Sequence, residues 1–237
     1  MKNLRSLIIT CATIALLASC SNNNCISGEG NYVSRDYNTN SFHAVSVAGE
    51  ADVYFTKDST YSLRIEAQSN VLNELNVEVV GQELTIGEDN CFKNIRRMKI
   101  YISTPSLTQV KTSGSINVYS PDAYTESAFK AMLSGTGNME LNLDVQEFDA
   151  SISGDGNIEV SGTATEQYFT SSGDGYFGCF DLVGEDVDIN VSGKATLEVN
   201  ATKTLNIDVS GSAFIYYKGK PAISQNISGT ATIIDAN

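Results

Sequence analysis

A Ser-Gly pair recurs along more than half of the chain at nearly constant spacing. The spacings between successive pairs are 21, 19, 19, 20, 18 and 18 residues. The serines of the seven pairs are Ser113, Ser134, Ser153, Ser172, Ser192, Ser210 and Ser228. A fixed period of this length is typical of stacked repeats in which each unit contacts only its neighbours. This repeat constrains the fold more than any other feature of the sequence.

Side chains within each repeat alternate as they do in a β-strand. The inward-facing row of the sixth repeat is Ile207, Val209, Gly211, Ala213, Ile215 and Tyr217. The fifth residue after the serine is apolar in all seven repeats, and the third is small in six of them. This is strand periodicity, and no helical period appears beyond the first 20 residues. We interpret the glycine and the small residue as places where the backbone bends and the interior narrows.

Each repeat is predicted to form one turn of a parallel β-solenoid. A β unit of 18–21 residues suits a rung whose strands pair with the rungs above and below, about 4.8 Å away. An antiparallel sandwich is the alternative, since a second set of turn residues (Gly162, Gly184, Asn200 and Gly219) partly supplies the closer turn spacing that it needs. The solenoid is preferred because the agreement is between residues one full period apart.

The N-terminal part of the predicted solenoid is irregular. The segment 47–53 fits the repeat template with alanine in place of serine, so an outlying rung begins there, and the regular repeats begin near residue 108. Between them lie strand-like runs at 61–67, 75–80, 83–87 and 98–103, separated by a charged loop. We expect irregular rungs with an insertion.

The first residues have the pattern of a bacterial lipoprotein leader. Lys2 and Arg5 precede an apolar run from Leu7 to Leu17, which is too short to span a membrane, and Leu-Ala-Ser then precedes Cys20. This ending resembles a lipobox, in which the cysteine is acylated and becomes the first mature residue. We predict a signal peptide at 1–19, a lipidated tether at 20–40 and a single domain at 41–237.

The charge balance excludes whole classes of partner. The chain has 15 Lys+Arg and 28 Asp+Glu, and removal of residues 1–19 leaves a net charge of 13 − 28 = −15. Nucleic-acid binding requires clustered basic residues and is not expected. Membrane attachment is expected through the lipid on Cys20 and not through a basic patch.

Cysteine and histidine usage limits the chemistry. Export implies an oxidising compartment in which Cys25, Cys91 and Cys179 can form at most one internal disulfide. His43 is the only histidine, and the sequence has no nucleophile elbow, zinc motif or EF-hand loop. We expect no cofactor and interpret His43 as structural.

The units Ser134-Gly-Thr-Gly-Asn-Met and Ser153-Gly-Asp-Gly-Asn-Ile, following a lipoprotein leader, resemble a family of exported Bacteroidetes proteins. This family is described as "putative auto-transporter adhesin, head GIN domain", and the resemblance covers roughly residues 41–235. It implies a right-handed parallel β-helix related in shape to pectin lyases, and an adhesive role. The last three repeats depart from the pattern, because alanine replaces the second glycine.

One outward column carries charged residues on successive rungs. Asp155, Asp174 and Lys194 would lie about 4.8 Å apart. Two stacked carboxylates can bind Ca²⁺, and a neighbouring lysine could act as a base toward an acidic sugar. The alternative is ordinary turn chemistry, in which Lys194 offsets the charge of Asp174. We favour the turn chemistry.

A second outward column carries aromatic residues. Tyr176 and Phe214 would lie two rungs apart, and Tyr216 follows on the same strand as Phe214. Aromatic rings on a rigid sheet can stack on sugar rings or anchor a protein partner, although burial under a cap or loop is the more common outcome. We therefore predict a non-catalytic adhesive or ligand-binding module, lipid-anchored in the cell envelope, in the outer membrane, with the surface and periplasmic faces both open. A pectin-lyase-like polysaccharide enzyme and a purely structural protein are the alternatives.

Overall fold

The structure, a computed structural model, describes residues 25–88 and 90–237. The predicted signal peptide and Cys20 lie outside this range. No helix among the described residues is long and apolar enough to cross a membrane. The strands are β1 (Ile26–Ser27), β2 (Tyr32–Tyr37), β3 (Ala44–Lys57), β4 (Ser62–Gln68), β5 (Leu75–Val80), β6 (Glu83–Glu88), β7 (Phe92–Lys93), β8 (Met98–Thr104), β9 (Gln109–Ile152), β10 (Asp155–Ser171), β11 (Asp174–Val191), β12 (Lys194–Val209), β13 (Ser212–Lys218), β14 (Ala222–Ile227) and β15 (Thr230–Asp235).

These strands form a parallel β-solenoid, as the repeat predicts. β10 lies between β9 and β11, and it pairs in parallel with both. The pairing joins residues one repeat apart, so that Gly156 is in register with Gly137 on one side and with Gly175 on the other. β12 continues the stack, and β13 and β14 pair with its two halves. Equivalent positions of the repeats therefore form columns along the solenoid axis.

The interior is filled by the apolar columns that alternation predicts. Ile158 and Leu197, both five residues after a repeat serine, are fully buried, whereas Glu159 on the following position is exposed. Phenylalanine rings from neighbouring rungs pack on one another inside the solenoid. The ring centroids of Phe148 and Phe169 are 6.0 Å apart, and those of Phe169 and Phe177 are 5.3 Å apart. The core is a continuous apolar column.

The glycines of the Ser-Gly pairs have a different role from the one expected. They do not narrow the interior, because Gly154 and Gly173 are half-exposed at a corner of the rung. A Cβ atom on Gly154 would overlap the carbonyl oxygen of Gly135, and one on Gly173 would overlap that of Gly154. Their missing side chains would point along the axis into the next rung. We call this column, from Gly49 to Gly229, the glycine ladder.

The rungs at the N-terminal end do not follow the order of the chain. β3 pairs in register with β9, which confirms the outlying rung. On its other side β3 pairs with β6 and β8, although both come later in the sequence. The four strand-like runs are confirmed as β4, β5, β6 and β8, but β4 pairs antiparallel with β8, and β5 pairs antiparallel with β6. The short helix α1 (Ser69–Glu74), which has no signal in the sequence, packs Val71 and Leu72 into this end.

Residues 25–40 are part of the folded structure, where the sequence predicts a tether. β2 pairs antiparallel with β4 and forms the last strand of the sheet, and β1 pairs with β7. A disulfide joins Cys25 to Cys91 across 66 residues. It ties the polar segment to the charged loop, whereas Cys179 is a buried free thiol. Burial raises the pKa of the Cys179 thiol well above its ordinary value, so it stays protonated and unreactive.

Candidate ligand-binding face

The candidate site lies on one flat outward side of the solenoid. Its side chains come from the second, fourth and sixth positions after each repeat serine, which point away from the core because the third and fifth point into it. We call this side the front face. Strand registers from β8 through β3 and β9 to β13 and β15 make it continuous along the axis.

Three tyrosines stack at the N-terminal end of the front face. The ring centroids of Tyr101 and Tyr54 are 5.3 Å apart, and those of Tyr54 and Tyr119 are 5.2 Å apart, with interplanar angles of 18° and 16°. Burial raises the pKa of Tyr119, and the charges of Asp52 and Glu140 add to this effect. Tyr54 covers one face of the Tyr119 ring. The other face turns toward the rung that carries Glu140.

A groove of about 480 Å³ begins at this tyrosine stack. Tyr119 lies on the rung at one end of the groove, and the other polar residues of the lining are Ser120, Glu140, Asn142, Glu159, Ser161 and Asp181. Glu140 and Glu159 occupy the same column on adjacent rungs and are exposed. Within the described part of the chain, no lysine or arginine pairs with either carboxylate. The groove therefore combines an aromatic wall with uncompensated negative charge.

A ladder of polar side chains runs beside the tyrosines and the groove. Asp52 accepts hydrogen bonds from Arg97 Nε at 2.5 Å and from Asn117 Nδ2 at 2.9 Å. Asn157 Nδ2 in turn donates to Asn138 Oδ1 at 2.9 Å. These bonds between rungs hold the side chains in fixed orientations, which makes this part of the front face rigid before any ligand binds.

The side chain of Tyr176 lies along the surface of the front face and does not project into solvent. Its hydroxyl donates a hydrogen bond to Glu198 Oε2 at 3.0 Å. Its ring passes over Gly178, where an added Cβ atom would come within 3.0 Å of the ring and the hydroxyl. Burial and the hydrogen bond to Glu198 raise the pKa of Tyr176 to about 12. Tyr176 is half-buried and is held to the Glu198 carboxylate.

Phe214 and Tyr216 lie where the column predicts. Register places Phe214 next to Thr196, which is next to Tyr176, so Tyr176 and Phe214 are two rungs apart. Phe214 is 46% exposed and Tyr216 is half-buried beside Glu198. The structure thus places all three predicted aromatic residues on one face, with Phe214 the most accessible of them.

Asp155, Asp174 and Lys194 are in register on successive rungs. Lys194 Nζ lies 3.3 Å from Asp174 Oδ2, and both side chains are more than half exposed. Among the described residues, no group of three or more His, Cys, Asp or Glu side chains is arranged to hold a metal ion. This arrangement fits the turn chemistry, in which the lysine compensates the neighbouring carboxylate.

The tyrosine stack and the groove are features of the candidate site that the sequence analysis does not predict. Tyr54 and Tyr119 both stand six residues after the first position of the Ser-Gly or Ala-Gly pair. Reading this sixth column along the repeats would have shown the two tyrosines followed by Glu140 and Glu159. Tyr101 comes from an irregular rung and carries no such signal.

The family model described as "Putative auto-transporter adhesin, head GIN domain" matches residues 41–221. The chain belongs to this family. The solved structure of a putative adhesin from Bacteroides fragilis NCTC 9343 is 23% identical, with a TM-score of 0.77 over 88% of this chain and 100% of that one. A putative adhesin from Parabacteroides merdae ATCC 43184 is 21% identical, with a TM-score of 0.71 over 90% of this chain and 99% of that one.

A third solved structure carries a different functional name. The "putative lipid binding protein" from Parabacteroides distasonis ATCC 8503 is 22% identical, with a TM-score of 0.69 over 90% of this chain and 99% of that one. At these identities the three structures support the fold alone. The comparison with curated proteins gives no match.

Proposed function

We propose that this protein is a cell-envelope lipoprotein whose solenoid is a non-catalytic adhesive module, and that the front face binds a neutral glycan. The observation that carries the proposal is the half-buried Tyr119 ring at the end of a groove lined by carboxylate, amide and hydroxyl groups. Sugar rings stack on aromatic faces, and their hydroxyls hydrogen-bond to such polar groups.

The negative charge of the groove favours neutral glycans over acidic ones. Glu140, Glu159 and Asp181 line it without a described basic partner, and the chain as a whole has a net charge of −13. An acidic polysaccharide would bring like charges together in the groove and is disfavoured. A neutral glycan avoids this repulsion and can donate hydroxyl hydrogen bonds to the carboxylates.

The rigidity of the face suits ligand binding, and the exposure of its charged pair argues against catalysis. The ladder of polar side chains and the tyrosine stack fix the side chains in advance, which lowers the entropy lost when a ligand binds. The exposed pair of Asp174 and Lys194 offers no water-excluded site for proton abstraction. Lipid binding inside the solenoid is equally disfavoured, because phenylalanines such as Phe148 and Phe169 fill the interior.

Anchoring is proposed to occur through a lipid on Cys20, in the outer membrane. The family resemblance and the leader pattern support this location. Cys20→Ala should release the protein or leave it as an uncleaved precursor, which membrane fractionation and the mass of the chain would show. If the Cys20→Ala variant is still cleaved and still fractionates with the membrane, the lipid anchor is rejected.

Glycan-array binding tests the ligand. We expect Tyr119→Ala to lower the signal at neutral glycans by about tenfold or more, since truncating an aromatic anchor residue removes a large part of the binding free energy of the complex. Tyr168→Ala is the matched control, because Tyr168 lies outside the front face and bonds to Glu166. Equal signals from the two variants would reject the groove as the binding site.

A cleavage assay on acidic polysaccharides tests the enzymatic alternative. The variant with Asp155→Asn, Asp174→Asn and Lys194→Ser should bind and behave like the unmodified protein. Turnover by the unmodified protein that this variant loses would overturn the non-catalytic proposal.

A further inference from the structure

The two ends of the solenoid are finished differently. The N-terminal end is covered by α1 and β2 and is held by the Cys25–Cys91 disulfide. The last rung consists of β14 and β15, which pair on one side with β12 and β13. In the described part of the chain, no strand pairs with their other side. The backbone N–H and C=O groups of that side form a strand edge that is open to pairing.

The apolar core is also open at the last rung. Ile223 and Ile227 are in register with Leu205 and Val209, which are fully buried one rung below. On the last rung the same columns are exposed, with Ile223 at 42% and Ile227 at 38%. Side chains that belong to the core by position thus lie in solvent.

This edge lacks the features that usually prevent strands from pairing. β14 reads Ala-Ile-Ser-Gln-Asn-Ile and β15 reads Thr-Ala-Thr-Ile-Ile-Asp. Neither strand contains Lys, Arg, Pro or Gly, and Asp235 at the end of β15 is the one charged residue in the two strands. Lysine, proline and bulges are the common protective devices at sheet edges.

The charge distribution favours a second copy of the chain as the partner. Residues 210–237 contain Lys218, Lys220 and Asp235, which gives a side-chain charge of 2 − 1 = +1, against −13 for the whole chain. Two copies repel each other least through this end, because its net side-chain charge is close to zero while the rest of the chain is strongly negative. The edge strand at the N-terminal end, β2, runs antiparallel to its neighbour and carries Arg35 and Asp36, so it does not match the parallel, nearly uncharged edge of β14 and β15 for head-to-tail stacking.

We propose that the last rung is the surface through which two copies of this chain pair, C-terminal end to C-terminal end. The arrangement is a two-fold one, in which the edges of β14 and β15 meet the same edges of the other copy. Pairing would satisfy the free backbone groups and bury Ile223 and Ile227 on both sides.

The pairing would make a second copy of the chain the partner in adhesion. This step rests on the proposed function, because it requires the lipid anchor on Cys20. Cys20 lies five residues before Cys25, a stretch that spans at most about 18 Å. A lipid on Cys20 would therefore hold the disulfide-linked end near the membrane. The last rung would then point away from the membrane, and pairing would link copies anchored in facing membranes.

Sedimentation equilibrium of the purified chain tests the pairing. We expect a monomer–dimer equilibrium for the unmodified chain, and a dissociation constant raised about tenfold or more in Ile223→Lys with Ile227→Lys, since each dimer would bury four unpaired charges. Val183→Lys is the matched control, because Val183 is 45% exposed on another part of the solenoid. A monomer up to about 100 μM, or a lysine pair without effect, would overturn the proposal.

Hydrogen exchange gives a readout that needs no variant. Amides of β14 and β15 should exchange more slowly as the concentration of the unmodified chain rises, whereas those of β10 should not change. Exchange in β14 and β15 that is independent of concentration would again reject the pairing.

Vesicle aggregation separates this inference from the proposed function. The lipidated protein on uncharged vesicles should aggregate them, and the lysine pair should abolish aggregation while Tyr119→Ala preserves it. If the chain dimerises in solution but the vesicles stay apart, the last rung does not point away from the membrane, and the pairing itself stands.

Discussion

The hydroxyl of Tyr176 is hydrogen-bonded to the carboxylate of Glu198 on the next rung, at 3.0 Å. Tyrosine loses its proton with an ordinary pKa of about 10. Here burial, followed by this hydrogen bond, raises the pKa to about 12. The neutral phenol is therefore the form that the folded protein favours. This bond restrains the middle of the front face, where it joins Tyr176 to Glu198 on the next rung.

The raised pKa of Tyr176 predicts a loss of stability in alkali. Because the folded pKa lies above the unfolded one, the stabilisation is complete below pH about 10 and is lost as the pH rises through about 12. The difference in ultraviolet absorbance between the unmodified protein and Tyr176→Phe should titrate near pH 12. Glu198→Ala should lower this midpoint only part of the way, since burial remains. A midpoint that Glu198→Ala leaves unchanged would contradict the role of the hydrogen bond.

The glycine ladder predicts an unusually severe effect of adding one methyl group. Gly154→Ala should cost about 3 kcal/mol or more in the free energy of unfolding, because the new Cβ would overlap the Gly135 carbonyl in a rigid stack. Gly87→Ala is the matched control. No atom lies within 4 Å of its added Cβ, so the change should stay within about 0.5 kcal/mol. Urea denaturation measures both, and similar values for the two variants would show that the ladder is not a steric constraint.

Inside and outside positions of one strand should differ sharply in tolerance. Ile158 is fully buried, so Ile158→Asp places an unpaired charge in the core and should cost more than about 4 kcal/mol or prevent folding. Glu159 on the next position is exposed, and Glu159→Ala should be nearly neutral for stability. Thermal unfolding followed by circular dichroism makes the comparison. Equal tolerance at the two positions would mean that the alternation is wrongly assigned.

The Cys25–Cys91 disulfide should contribute measurably to stability. Closing a loop of 66 residues corresponds to about 4 kcal/mol in the unfolded-state entropy model. Cys25→Ser with Cys91→Ser should therefore lower the melting temperature and loosen β1, as hydrogen exchange would show. A reductant should destabilise the unmodified protein to the same extent and leave the double variant unchanged. If the reductant has no effect on the oxidised protein, this disulfide does not stabilise the N-terminal end.

The repeat makes the regular part of the fold predictable from the sequence. Residues such as Ile158 and Leu197 stand one or more periods apart in equivalent environments, so the burial of a position in one repeat predicts its burial in the others. Even the outlying rung in β3 follows from this, because Val47 and Val53 match the template. The same columns place Phe214 and Tyr176 on one outward face before any coordinates are known.

Structural features that occur only once in the fold are not marked by a repeated pattern in the sequence. β2 pairs antiparallel with β4 through a local arrangement that no repeat duplicates, so residues 32–37 read as a polar tether. Helix α1 is six residues long, too short to show a helical period. Which two of the three remaining cysteines pair is likewise set by how the loop around Cys91 folds back onto Cys25. The orientation of the Tyr176 side chain depends on Gly178, the one position without a side chain in a column of larger residues.

The glycine ladder also bears on how such a chain can change over evolutionary time. A side chain introduced at Gly154 collides with the backbone of the neighbouring copy of the same motif, so no compensating change within one repeat removes the conflict. Duplication or loss of a whole repeat, by contrast, keeps the backbone register and the contacts of the glycine ladder intact. The gene would therefore vary most easily in steps of about 19 codons, and relatives would differ in length before they differ at these glycines.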